Sequence, residues 1–379
     1  MQATDTPPTA PSPPAAPAPL ADWLRLSLTP RVGLLTAHGL LKKFASPGAI
    51  FAAAAAGLSD GLNAAQARAL AAGATGETAQ AVAAELAAID LWRQHPGRRV
   101  LALDHPDYPP ALRATPDAPL LLYVQGRAEL LARDALAMVG SRNASAQGAS
   151  NATRLAQALS ETGLVIVSGL ALGIDAAAHQ GALLGEGGTV AVLGTGIDVI
   201  YPRRNTALVE RIAREGCLVS EYPLGTAPQS SNFPKRNRII SGLARAVLVV
   251  EAAAGSGSLI TARLALAQGR DVYAIPGSIH ATLAKGCHAL IKEGARLVES
   301  ADDILAALAG QPPGVAQAAP DDSFVDPLLA ALGDDPATPA LLALRRGLDL
   351  PAVQHQLLAL ELAGLVERLP GGMFQRCGR

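Results

Sequence analysis

Cysteine is scarce in this chain, and the three present, Cys217, Cys287 and Cys377, stand too far apart for a zinc knuckle or a disulfide framework. Buried thiols in a reducing cytoplasm are expected instead. Half the residues are hydrophobic, much of that alanine, yet no uninterrupted apolar run of about 18 residues occurs, so no membrane span is expected. The first basic residue is Arg25, which leaves the N-terminus without the positive region of a secretory leader. Residues 1–20 are Pro/Ala/Thr-rich and are expected to form a disordered tail. An excess of positive charge is also missing. Lys and Arg number 31 against 32 Asp and Glu, a net charge of −1, so any attraction to a polyanion must come from a local basic patch.

The signatures of familiar nucleotide and hydrolase sites are absent too. No Gly-Lys pair occurs, which excludes a Walker-type ATP site. Leu193-Gly-Thr-Gly196 opens like a dinucleotide fingerprint, but Val199 stands where the third glycine belongs and no ribose-binding acid is well placed. Ser168, Asp175 and His179 invite a triad reading, but there is no Gly-x-Ser-x-Gly elbow. Asp175 and His179 share one helical face and are expected to pair with each other. His280 and His288 lack metal-ligand spacing and read as structural. No catalytic residue, metal or cofactor is therefore expected.

A chain of 379 residues holds two or three domains. Residues 21–95 read as a helical domain in which Pro30-Arg-Val-Gly33 makes a tight turn before a helix over Thr36 to Phe44, as in helix-hairpin-helix or sterile-alpha-motif-like modules. The turn amides could face a phosphate, or the unit could be a plain helical cap. Residues 96–310 then alternate strands and helices. After short strands at Val100 to Leu103 and Leu120 to Val124 come Ala135 to Val139, Leu164 to Val167, Thr189 to Leu193, Cys217 to Val219, Ala246 to Val250 and Asp271 to Ile275. These are continuous apolar runs, the pattern of strands covered on both faces, and the helices between them specify a doubly wound, Rossmann-like parallel sheet. A Pro/Ala/Asp linker over 311–323 leads to a unit over 324–379. There, helices from Pro339 to Arg346 and Pro351 to Ala363, followed by a hairpin, describe a winged helix. Its second helix carries no Lys or Arg, so protein docking or self-association is expected of it rather than major-groove reading.

Ligands of open parallel sheets bind beyond the carboxyl ends of the strands. The loops there form a series of Gly- and Ser-rich turns: Val139-Gly140-Ser141-Arg142-Asn143; Ser168-Gly169 running to Gly173 and Asp175; Leu193 to Gly196 with Tyr201-Pro-Arg-Arg-Asn205; Ser231 to Ile240; and Glu251 to Thr261 with Ser256 and Gly257. Glycine admits close backbone approach, helix-opening amides attract anions, and Arg142 can fork onto a phosphate. The fourth segment is the densest in cations, with Lys235, Arg236 and Arg238 around Asn237, and Phe233 offers an aromatic face beside them. Cations that neutralise phosphates next to a ring that stacks a base suit single-stranded nucleic acid. One anion-cradling turn is ordinary in such a fold. Several along one sheet edge imply an extended polyanion.

The segments Val-Gly-Ser-Arg at 139–142, Ser-Gly-Leu-Ala-Leu-Gly-Ile-Asp at 168–175, Phe-Pro-Lys-Arg-Asn-Arg-Ile-Ile at 233–240 and Gly-Ser-Gly-Ser-Leu-Ile-Thr-Ala at 255–262, in this order, resemble the DNA processing protein A family, DprA/Smf. The resemblance implies a sterile-alpha-motif-like domain, an extended Rossmann domain and a winged helix. It also implies a non-enzymatic cytoplasmic protein that binds incoming single-stranded DNA during natural transformation, protects it and loads RecA. Arg142, the Ser168-Gly169 turn, Phe233, Lys235 and Arg236 would line the DNA pocket, and a homodimer through the Rossmann domain is implied. Lys285-Gly-Cys-His288 departs from the family's usual Asn-containing stretch. The competing readings are a phosphoribohydrolase-like nucleotide-processing enzyme, whose Pro-Gly-Gly-x-Gly-Thr-x-x-Glu motif is absent, and a scaffold whose winged helix docks partners.

Overall fold

The computed structural model describes residues 18–57, 62–72, 76–310, 326–333, 335–362, 365–369 and 372–376. Most of the expected tail, the linker, Cys377 and residues 363–364 lie outside the described residues.

Five helices open the chain: Leu20–Leu28, Leu34–Phe44, Pro47–Ala55, Ala64–Ala72 and Gly76–Trp92. The second starts at Leu34, two residues before the expected Thr36, and ends where Ala45 turns into the left-handed region at φ 64°. The Ser46 side chain then accepts from the Ala49 amide with Pro47 at the first helical position, so capping chemistry starts a new helix where hydrophobic periodicity reads straight on. The unit does not stand alone. Trp23, Leu24, Leu26, Ile89 and Trp92 share one core with Leu121, Tyr123 and Leu218 of the central sheet, and the Tyr123 hydroxyl donates to Glu85 at 2.6 Å.

That sheet has nine strands: β1 (Arg98–Ala102), β2 (Leu121–Gly126), β3 (Ala135–Val139), β4 (Val165–Ser168), β5 (Thr189–Val192), β6 (Cys217–Ser220), β7 (Ala246–Val249), β8 (Asp271–Ala274) and β9 (Arg296–Leu297). They lie in the order β1-β2-β6-β5-β4-β3-β7-β8-β9, with β6 through β9 mutually parallel. The two strands before the repeating units, β1 and β2, instead run antiparallel along the β6 edge. The residues of β3 to β7 are all buried, as strands covered by helices on both faces must be. Along β3, Ala135, Ala137 and Val139 enter one core layer while Leu136 and Met138 enter the other, the two-residue alternation of a pleated strand.

The C-terminal unit has its own core of Leu328, Leu332, Leu342, Val353, Leu357 and Phe374. Thr338 caps the helix Pro339–Arg346 by accepting from the Leu341 amide, and Val366–Leu369 pairs with Met373–Arg376 in the expected hairpin. An additional helix, Pro327–Leu332, precedes them; six residues are too few to show a helical period in sequence. Among the described residues no helix is long and apolar enough to cross a membrane.

Candidate nucleic-acid interface

The chain order places the site. From β3 the strands proceed through β4 and β5 to β6 on one side, and the chain then returns to lay β7 on the other side of β3. Loops leaving β3 and β7 therefore diverge, and in a parallel sheet such a switch point opens a crevice. A cleft of about 680 Å³ lies there, lined by Gly140, Ser141, Arg142 and Asn143 after β3 and by Gly255 to Ser258 and Thr261 after β7. Backbone bonds knit the loops: the Ser141 amide donates to the Glu251 carbonyl at 2.8 Å, and the Ile174 amide to the Ser141 carbonyl at 3.1 Å. Gly173 has φ +76°, and a Cβ there would meet the Ser141 carbonyl oxygen at 2.3 Å, so this corner admits only glycine.

The Ser231 to Ile240 stretch, read from sequence as a strand-end loop, is mostly helix, Asn232–Leu243. Helical rotation divides its residues between two sites. Phe233, Arg236 and Asn237 face the cleft, whereas Lys235 and Arg238 face a second cleft of about 770 Å³ against the N-terminal helices. Arg236, Asn237 and Arg238 are buried, not solvated. Arg238 forms ion pairs with Glu221 and with Asp117, the latter at 3.5 Å, so its charge is already compensated inside the protein. Burial pushes the Glu221 carboxyl above the usual carboxylate range, and Arg238 opposes that rise.

Arg236 forms the floor of the first cleft. Its guanidinium donates to the Gly169 carbonyl and, at 2.7 Å, to Asn237 Oδ1, while Nε has no partner. Burial lowers its pKa, with Asp175 as the main opposing charge. Above it, the exposed Arg142 places its guanidinium 5.9 Å from the ring centre of the half-buried Phe233. The cleft thus presents a buried cation, an exposed cation and an aromatic face among Gly/Ser turns.

The Ser168 to Gly173 loop supports the cleft from behind. The buried Ser168 hydroxyl donates to the Met138 carbonyl at 2.6 Å, which turns it inward to the sheet. Asp175 and His179 do not pair. Asp175 accepts from the Gly169 and Ala171 amides at 3.1 and 3.4 Å, holding the loop in shape, and burial raises its pKa. His179 bonds through Nδ1 to Thr189 Oγ1 at 2.7 Å. That hydroxyl already donates to the Ile166 carbonyl, so it accepts from His179 and fixes the proton on Nδ1. Burial lowers the His179 pKa to about 3 and keeps the ring neutral. One helical face does not make a pair when the loop amides offer the carboxylate better partners.

Glu251 is likewise occupied: its carboxylate accepts from the Ser145 hydroxyl at 2.5 Å and the Ser145 amide at 3.0 Å, at the start of helix Ala146–Glu161. His288 bonds the Gly277 carbonyl at 3.0 Å. Cys217 and Cys287 are buried and free, and no group of three or more potential metal ligands occurs among the described residues. Ser258 and Thr261 join the cleft without having been singled out in the sequence. They are three apart on helix Ser258–Ala267, and that spacing was the available signal.

Together these features define a Rossmann-type protein with an arginine-lined, aromatic-faced cleft at its switch point. Residues 99–309 match the family model of DNA recombination-mediator protein A, and residues 310–372 match that of the DprA winged helix domain. The chain belongs to the DNA recombination-mediator protein A family, DprA/Smf. It is 44% identical over 293 residues to Protein Smf of Escherichia coli, covering 74% of this chain and 78% of that one. The X-ray structure of DNA processing protein A from Streptococcus pneumoniae superposes with a TM-score of 0.60 at 38% identity, covering 75% of this chain and 97% of that one. DNA processing protein A from Helicobacter pylori, described for its unique single-stranded DNA binding mode, aligns with a TM-score of 0.52 at 29% identity, over 57% of this chain and 97% of that one.

Proposed function

We propose that this chain is a single-stranded DNA-binding recombination mediator of natural transformation: a cytoplasmic protein that shields the incoming strand and loads RecA onto it without catalysing a reaction itself. The observation that carries the reading is the Arg142 guanidinium 5.9 Å from the Phe233 ring centre at the mouth of a cleft floored by the buried Arg236. A ring that stacks any base, beside cations that neutralise phosphates, recognises a flexible strand without reading its sequence. The single-stranded DNA binding mode of the Helicobacter pylori relative supports the same assignment. A homodimer through the Rossmann domain is part of the proposal.

Anisotropy of a labelled oligothymidylate, titrated at several salt concentrations, tests it. Arg142→Ala should weaken binding and reduce the salt slope by about 0.7, the share of one phosphate contact on a single strand. Affinity unchanged in both Arg142→Ala and Arg236→Ala would remove the cleft from DNA binding. The oligonucleotide should be recovered intact, and RecA filament growth should start sooner on the strand coated by this chain than on the same strand coated by a single-strand-binding protein alone. Sedimentation of the free chain reads the dimer.

A further inference from the structure

Beside the cleft, the turn between β5 and the helix Thr206–Glu215 carries a second exposed ring. Tyr201 is 46% exposed, and its ring centre lies 5.3 Å from that of Phe233, with the two planes tilted by 34°. The turn is held in place. Asn205, buried, donates through Nδ2 to the Leu170 carbonyl at 2.9 Å and the Ala171 carbonyl at 3.4 Å, which ties it to the loop that supports the cleft. Arg203 and Arg204 follow Tyr201 on the same turn, both exposed and with no ion pair among the described residues. Rings this close leave no room for an inserted base, which would need about 7 Å, twice the 3.4 Å rise of a stacked strand. On Tyr201, a base can stack only on the face turned away from Phe233.

We propose that Tyr201 is a second base-stacking platform, continuous with Phe233, along which the strand leaves the cleft over the 200–204 turn. The inference rests on the single-stranded DNA reading and extends it. The ligand is a strand with unpaired bases, engaged by one nucleotide beyond the cleft, and its path runs from Arg142 across Phe233 to Tyr201. A duplex, whose bases are already stacked on their neighbours, has no face to offer the second ring.

Two oligomers of equal length test this on the full chain, one of thymidylate and one of abasic deoxyribose phosphate. Tyr201→Ala should weaken thymidylate binding by roughly 5- to 150-fold, the range of one lost base stack, and leave the abasic oligomer unaffected. Tyr201→Phe should bind both as the parent does. An equal loss for both oligomers, or none for either, overturns the inference while leaving the cleft's own role intact. Photolysis of a 5-iodouracil-substituted oligomer on the unaltered chain separates Tyr201 from an indirect effect on Phe233. A crosslinked peptide containing Tyr201 is expected, and crosslinks to Phe233 with none to Tyr201 overturn the proposal. Failure of the unaltered chain to bind the thymidylate oligomer at all overturns the single-stranded DNA reading, and the inference with it.

Discussion

The guanidinium of Arg236 occupies the space where a side chain on Gly169 would begin: a Cβ built on Gly169 lies 2.0 Å from Arg236 Nη1. The glycine therefore admits the cation to the floor of the cleft, and its carbonyl accepts one of the cation's hydrogen bonds. Gly169→Ala should expel the guanidinium. A stability loss of about 1–3 kcal/mol is expected in urea denaturation from overpacking alone. Oligothymidylate affinity should fall as far as in Arg236→Ala, and the two changes combined should cost no more than either.

Arg238 predicts the opposite division of effects. It is two residues from Arg236, yet its charge is spent on Glu221 and Asp117 in the second cleft. Arg238→Ala strands the largely buried Glu221 carboxylate and should destabilise the fold by up to roughly 3–5 kcal/mol. Single-stranded DNA affinity, measured where the variant is still folded, should change little. Arg238→Ala together with Glu221→Gln should recover much of the lost stability.

His179 sets a pH dependence. Its pKa falls from 6.5 to about 3 on folding, so between these values the unfolded chain holds a proton that the folded chain does not. Its contribution is thus fully present above about pH 6.5 and is lost as the pH falls toward 3, at about 1.4 kcal/mol per pH unit. Equilibrium denaturation of His179→Gln between pH 4 and 6 should show a shallower slope than the parent by about that amount. Equal slopes would show that the ring is protonated in the folded protein.

Ser145 and Glu251 form a cap across 106 residues of sequence. Ser145→Ala removes both the acceptor for the Gly148 amide and the donor to Glu251. A loss of about 1–2 kcal/mol is expected in thermal or denaturant unfolding. Glu251→Ala should cost a similar amount in the same measurement.

Local chemistry made much of this architecture legible from the residues alone. Short apolar runs such as Ala135–Val139 and Ala246–Val249 can be satisfied only between two helical layers, and Gly173 marks a corner where a side chain would strike backbone. The Phe233 and Arg142 elements of the cleft, and the Pro339 start of the winged-helix helix, were visible for the same reason: each depends on residue type and near spacing. The tertiary structure decided what spacing cannot carry. Strand order placed β7 beside β3 and so opened the cleft where it is. The same order laid β1 and β2 antiparallel on the far edge and gave the N-terminal helices their core. It also divided Arg236 from Arg238, because a guanidinium's role depends on which carbonyls and carboxylates surround it once buried. For Arg236 the partner is Gly169, 67 residues away; for Arg238, on a different face of the same helix, it is Glu221, 17 residues away and just beyond β6. The sequence determined which residues could meet an anion, and burial against distant partners determined which of them still have charge to offer one.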